Sequence, residues 1–335
     1  MSIDIVALTR LLVDVDSTTG REGECGRRLA AFLRDQSFVV DEQRVDASRF
    51  NVIARSGPAP VVAFSTHFDC VPPFFPSRLD GERLFGRGSC DAKGILAAQV
   101  AAVDRLRAAG ESRAGLVFVV GEERGSDGAR AANDAAVDGC RFLINGEPTD
   151  NRLGLATRGI LRVRMTASGR AAHSSYPELG ESAIEKLVDA LVALRTIDLP
   201  ADPTLGRTHY SVGLISGGVA PNVIPAQAEA EVMFRTVGDA AQVRRALGPL
   251  ERRVTIDHVL AVPPVRLTTV PGYDAAVFPY TTDIPFLARW GAPLLFGPGS
   301  VHAAHTADES VSIADLHAAA DHYVAIARAL LALAA

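Results

Sequence analysis

Two adjacent carboxylates, Glu122 and Glu123, follow an apolar run at residues 116–120 within the stretch LVFVVGEERGSDGAR. A β-branched run bounded by Gly115 and Gly121 reads as a fully buried strand. Two ionisable groups at its end must be solvated, paired or bound to metal. Three more apolar runs deliver candidate ligands in the same way: 61–64 leads to His67 and Asp69, 142–144 to Glu147, and 293–296 to a loop with His302 and His305. Asp91 stands after a glycine-rich turn, at the start of a long Ala/Leu/Val helix that ends at Gly110. The carboxyl ends of strands in open α/β sheets form the binding crevice, so these scattered residues can converge. Two or three histidines and five carboxylates exceed the roughly four ligands that one zinc needs. They suffice for two metals sharing a bridging carboxylate, with one carboxylate left to move protons.

Each residue has a plainer reading on its own. His67 and Asp69 could be a hydrogen-bonded pair at a strand end, Asp91 an N-cap, Glu122 and Glu123 a solvated face, Glu147-Pro148 a turn, and His305 a loop histidine near Asp308 and Glu309. Their coincidence at the strand ends of one sheet favours the metal.

The elements that must position these groups follow from periodicity. Residues 3–15 and 22–36 read as helices separated by Gly20, with short strands at 38–40, 51–54 and 61–64. After the long helix come strand 116–120, a helix near 129–136 and strand 142–144. Strands alternating with helices give a mostly parallel sheet flanked by helices. Near Arg158 the pattern changes. Alternating segments at 159–169, 208–215, 226–236 and 253–260, with helices at 181–195 and 239–250, give the order βαββαβ, a four-stranded antiparallel sheet with two helices. One face of such half-polar strands packs on helices and the other is left for solvent or a partner. A strand at 293–296 and a helix from Ile313 return to the first pattern. The expected division is a discontinuous catalytic domain, 1–157 and 266–335, with an inserted domain at 158–265.

At 335 residues the chain exceeds the size at which single cores stop growing, roughly 250–300 residues. Lys and Arg number 34 against 39 Asp and Glu, a net charge of −5 without a long basic run, which points away from nucleic acid and anionic membranes. The N-terminus carries Asp4, Asp14 and Asp16 and no basic n-region, so a cytoplasmic location is expected. Four widely spaced cysteines, Cys25, Cys70, Cys90 and Cys140, read as reduced core or near-core residues.

The motifs THFDCVP, GRGSCDAKG, GEERGSDGAR, NGEPT, GRAAHS and GPGSVHAAHTADESV, in this order, resemble the co-catalytic di-zinc amidohydrolases and metallopeptidases. That family includes acetylornithine deacetylase, succinyl-diaminopimelate desuccinylase, aminoacylase and glutamate carboxypeptidase. The resemblance implies two Zn²⁺ per chain, with Co²⁺ or Mn²⁺ able to substitute. It implies that Asp91 bridges them, that His67 and Glu147 complete one site, and that Glu123 and His305 complete the other. Asp69 would orient His67 and Glu122 would act as general base. In the inserted domain, which would serve as lid and dimer interface, His173 would reach the neighbouring subunit's active site and stabilise an oxyanion. Asn222 and Arg235 would meet substrate; a structural salt bridge is the alternative for Arg235. The dimer would be isologous.

The expected activity is hydrolysis of the amide of a small N-acyl amino acid. ATRGI, GSCDAKG and GPGSVHAAHTADESV look most like acetylornithine or acetylcitrulline deacetylases, which implies a place in arginine biosynthesis. The alternative is a carboxypeptidase or dipeptidase with the same metal site. A remote rival is a non-catalytic binding protein on the same fold, which should lack a ligand or the base; neither is missing. His302, three residues before His305, could compete as a ligand. Neighbouring side chains on extended backbone point to opposite sides, so the pair is expected to divide its tasks, Glu123 on metal and Glu122 on water.

Overall fold

The computed structural model describes residues 3–57 and 59–334. The chain divides into two compact units: Met1–Leu155, Leu267–Ala276 and Thr282–Ala335 form the first, and Ala156–Arg266 with Val277–Thr281 the second.

The first unit is built on a six-stranded sheet in the order Val39–Arg44, Phe50–Arg55, Ala114–Val119, Val62–His67, Phe142–Asn145, Ala292–Leu295. The last four strands in that order are parallel, and an antiparallel hairpin closes one edge. Continuous apolar runs are needed because both faces are covered. Phe64, Leu116 and Phe118 pack into the large core shared with Ile95, Tyr323 and Ile326. Their neighbours Ala63, Val117 and Val119 point the other way, toward Ala129, Ala132 and Trp290. Helix Lys93–Ala108 is apolar nearly all round because it is buried nearly all round, and Gly110, at φ +85°, follows its end. Helix Ile313–Leu333 starts at Ser312, whose hydroxyl accepts from the Asp315 N–H at 3.3 Å. It sends Tyr323 edge-on to Phe64, 5.6 Å between centroids. Each such large side chain, fully buried, contributes about 1.5–3 kcal/mol of transfer free energy.

The second unit has a four-stranded antiparallel sheet, His209–Gly217, Gln227–Thr236, Gly159–Ser168, Thr255–Val262, with helices Ala183–Leu194 and Ala240–Leu247. Alternation is strict where helices cover one face: Leu161, Val163, Met165, Val232 and Phe234 are buried with Leu187 and Leu247. The α/β sheet plus antiparallel α+β insert matches the fold expected from periodicity. Several element boundaries shift by a few residues, and two of the shifts have a local explanation. The first strand runs on to Arg44 through VVDEQR, because charged residues suit a sheet edge. The helix expected to Leu250 ends at Leu247 and continues as a 3-10 turn, Gly248–Arg252, containing Pro249. Among the described residues no helix is long and apolar enough to cross a membrane.

Candidate metal centre

The site is built at the carboxyl ends of the parallel strands of the first unit. His67 is the last residue of its strand and is buried. Its Nε2 lies 3.0 Å from Asp91 Oδ1, and its Nδ1 lies 3.1 Å from the Asp69 carbonyl oxygen and 3.4 Å from the Asp69 carboxylate. Burial works against a charged imidazole, but Asp69 and Asp91 outweigh it and raise the His67 pKa well above its usual value.

Asp91 precedes helix Lys93–Ala108 and presents one oxygen to each of two histidines: Oδ1 to His67 and Oδ2 to His305 Nε2 at 3.3 Å. Burial pushes its carboxyl upward, yet the contacts with His305 and His67 hold it well below the usual carboxylate range. His305 Nε2 also meets Glu123 Oε1 at 2.8 Å. Its contacts with Asp91 and Glu123 push the imidazole up to about 10. The backbone of His305 is left-handed, φ +64°, a conformation uncommon for a side-chain-bearing residue and concentrated at functional positions.

Glu122 and Glu123 do not lie on extended backbone. Gly121, at φ +77°, turns the chain out of strand Ala114–Val119 into the 3-10 turn Glu122–Arg124. A Cβ on Gly121 would stand 1.9 Å from Asp127 Oδ1, so only glycine fits. The pair is therefore separated by a tight turn rather than by strand alternation. Both glutamate N–H groups donate to the Asp69 carboxylate, at 3.1 and 3.2 Å, and Thr19 Oγ1 donates to it at 2.8 Å. Asp69 thus fixes the His67 ring and the glutamate turn together. Burial raises its pKa, but the His67 contact and these hydrogen bonds leave it lowered.

Glu147, two residues past strand Phe142–Asn145, is buried and its Oε1 has no hydrogen-bond partner. Burial, and then the charge of Asp91, push its carboxyl well above the ordinary value. Glu122 is shifted the same way, by burial and then by Glu147 and Asp283. Asp283 is 1% exposed, has an orphaned Oδ1, and is pushed up to about 7 by burial, which outweighs the opposing hydrogen bond from the Ser126 hydroxyl.

This excess of buried negative charge is a direct test of whether a cation fits. An isolated carboxylate taken out of water costs several kcal/mol unless it is paired or coordinated. Here two buried carboxylates, Glu147 and Asp283, keep an unpaired oxygen. Donor atoms of His67, Asp91 and Glu123 all lie within 4.8 Å of one another. Imidazole and carboxylate are the donors that zinc accepts, so the donor set fits the metal. The cysteines take no part: Cys90 Sγ faces the Ser300 carbonyl at 3.5 Å, and burial pushes the Cys70 thiol up to about 12. All four are free. His302 is exposed and, among the described residues, makes no hydrogen bond or ion pair with the cluster.

The other sequence-read residues belong to the second unit. Ser174 N–H donates to the Asn222 carbonyl at 3.0 Å, and His173 pairs in register with Val223, so His173 and Asn222 are neighbours. Arg235 is in register with Ile160, while Gln227 is in register with Ser168. The eight steps of extended strand from Gln227 to Arg235 span about 27 Å at roughly 3.4 Å each, which puts Arg235 toward the end of this sheet remote from His173. Among the described residues Arg235 forms no ion pair, so the salt bridge weighed for it is not made. Sequence reasoning missed Thr19, which nothing in TTGREG marks as special. It also missed Asp283, which sits in turn-rich TTDIP with no metal-ligand spacing.

A family model described as Peptidase family M20/M25/M40 matches residues 63–329. The chain belongs to that family, and is a metal-dependent hydrolase of the peptidase type. A protein named "Probable carboxypeptidase" from Aspergillus terreus is 38% identical over 361 residues, covering 94% of this chain and 83% of that one. Among solved structures, aminopeptidase PepT from Bacillus cereus matches with TM-score 0.80 at 20% identity, over 98% of both chains. The YXEP protein of Bacillus subtilis, described as a dinuclear metal binding peptidase, matches with TM-score 0.72 at 17% identity, over 98% and 97%. At these identities the two structures bear on the fold alone.

Proposed function

We propose that the chain hydrolyses the amide bond beside the free carboxylate of small peptides, as a carboxypeptidase or dipeptidase. The observation that carries this reading is the 38% identity, over nearly the whole chain, to a relative named as a carboxypeptidase. It supports the peptidase reading better than the acetylornithine or acetylcitrulline deacetylase expected from the motifs, and with it weakens the place in arginine biosynthesis. The half-buried guanidinium of Arg235, without a carboxylate of its own, suits a terminal carboxylate through bidentate hydrogen bonds.

His67, Asp91 and Glu147 would hold one Zn²⁺, and Asp91, Glu123 and His305 the other. The two ions, when bound, supply Lewis acidity toward the amide carbonyl and toward water. Glu122 takes the proton of the attacking water and returns it to the leaving amine, since an amide nitrogen must be protonated to depart. A carboxyl raised by burial and by its anionic neighbours is suited to holding a proton between those two moments. Asp69 keeps the His67 ring and the glutamate turn in place.

The second unit supports an isologous homodimer. Ile184, Val188 and Val192 form an exposed stripe at helical spacing, and Leu214 and Ile215 are exposed on the edge strand His209–Gly217. With His173 and Asn222 toward one end of the sheet and Arg235 toward the other, two subunits would each contribute to one substrate. Four free thiols suit a reducing cytoplasm.

The test is turnover of a panel of dipeptides, tripeptides, N-acetyl, N-succinyl and N-formyl amino acids by the zinc-loaded chain. Peptides with a free C-terminus should have the highest kcat/KM. Preference for N-acetylornithine or N-acetylcitrulline would return the reaction to the deacetylases.

A further inference from the structure

Arg87 and Glu309 form a buried ion pair, Nη1 to Oε2 at 2.6 Å, with exposures of 2% and 0%. The pair is unusual in what else it holds. The second oxygen of Glu309, Oε1, accepts three main-chain N–H groups, from Gly88 at 2.9 Å, Asp91 at 3.1 Å and Cys90 at 3.2 Å. The Glu309 carbonyl accepts the Gly86 N–H at 3.0 Å. Arg87 Nε donates to the Pro73 carbonyl at 3.2 Å, and its guanidinium lies 5.0 Å from the centroid of the Phe75 ring. Three segments at or beside the site therefore meet on one pair: 73–75, a few residues past Asp69; 86–91, which ends at the bridging candidate; and 305–309, which begins at His305.

N–H groups of one turn converging on a single point form the kind of concavity by which proteins bind anions; here the Gly88, Cys90 and Asp91 groups converge on a fixed side chain, while the Ser89 N–H turns back to the Gly86 carbonyl. Gly88 makes the turn possible: its φ is +87°, and a Cβ there would stand 2.5 Å from Cys70 Sγ. Asp91 is gripped through its own N–H by the carboxylate of Glu309, whose loop also carries His305. The distance between Asp91 and His305 is thereby set by backbone fastened at both ends.

We propose that Glu309, backed by Arg87, is a positioning residue for the metal centre: it fixes the Asp91 carboxylate against His305 so that the chain binds its metal pair tightly. This rests on the metal-centre reading given above. Partners just outside the ligands typically govern affinity by roughly 10–100-fold, and among the described residues no other side chain accepts the Gly88, Cys90 and Asp91 N–H groups.

The test uses the full chain loaded with Zn²⁺ and titrated with a competing chromogenic chelator, alongside the visible spectrum of the Co²⁺-loaded form. Glu309→Gln keeps an acceptor oxygen without the charge, Glu309→Asp withdraws the carboxylate by one methylene, and Glu309→Ala removes it. Zinc affinity should fall roughly 10–100-fold, most for Ala, with a changed Co²⁺ spectrum in each. Should Ala fail to accumulate as folded protein, Gln and Asp decide the matter. A folded variant with a lower Tm but unchanged zinc affinity and Co²⁺ spectrum would show a merely structural pair and overturn the proposal. Wild-type protein that binds no zinc would defeat the metal-centre reading itself, a result distinct from wild-type and variants binding alike.

Discussion

The two units treat their polar residues in opposite ways. In the first, most candidate ligands are already fastened by protein contacts: His67 to Asp69 and Asp91, the glutamate turn to Asp69, and His305 to Asp91 and Glu123, while buried Glu147 keeps an unpaired oxygen. In the second, His173 and Asn222 are exposed, and Arg235 is half-buried without an ion pair among the described residues. Chemistry on water and a carbonyl needs groups held within a few tenths of an ångström. Recognition of a substrate or a second subunit needs groups still free to form contacts. On the proposed reading the difference places catalysis in the first unit and recognition in the second, and substitutions can break that division.

The largest effect is expected at Glu122. Glu122→Gln should retain zinc while kcat falls roughly 10²–10⁴-fold, the usual worth of a general base. Zinc content by atomic absorption and steady-state kinetics on one sample check this, and near-normal kcat would move the base elsewhere. A recognition residue should behave differently. Arg235→Met should raise KM roughly 10–100-fold for peptides with a free terminal carboxylate, and leave C-terminally amidated analogues unaffected. A loss confined to kcat would give Arg235 a part in the chemistry instead.

How far these assignments were legible differs between the units for a physical reason. Strand–helix order was readable because burial on two faces forces continuous apolar runs and burial on one face forces alternation. Ligand candidates were readable because they stand just past such runs. The division of Glu122 from Glu123 was read from strand geometry, and Gly121 replaced that geometry with a turn. Nothing local marks Glu309: its bond to the Gly88 N–H spans 221 positions. Thr19 reaches Asp69 across 50, and is a plain turn threonine until the fold is known. Asp283 was hidden for the same reason, since its environment comes from segments remote in sequence.

The smallest effect on stability is expected at the exposed edge of the second unit. Leu214 is 66% exposed, so Leu214→Glu should change unfolding free energy by about 0.5 kcal/mol or less, while light scattering shows monomers in place of dimers. Turnover should drop with dimerisation if His173 works across the interface. A variant that remains dimeric would direct attention to another face.

The interruption of the first unit by the second bears on the order in which the protein takes shape. Synthesis delivers strands from residues 39 to 145 early, but the edge strand Ala292–Leu295, His305, and the helix Ile313–Leu333 that seals Phe64 and Ile95 come only after the second unit. The second unit is nearly contiguous and can finish while the first still waits, a long-range closure of the kind that slows folding. His305 and Glu309 arrive only after the second unit. The donor set is therefore completed only after the second unit has emerged, and metal capture becomes a marker that the polypeptide has closed on itself.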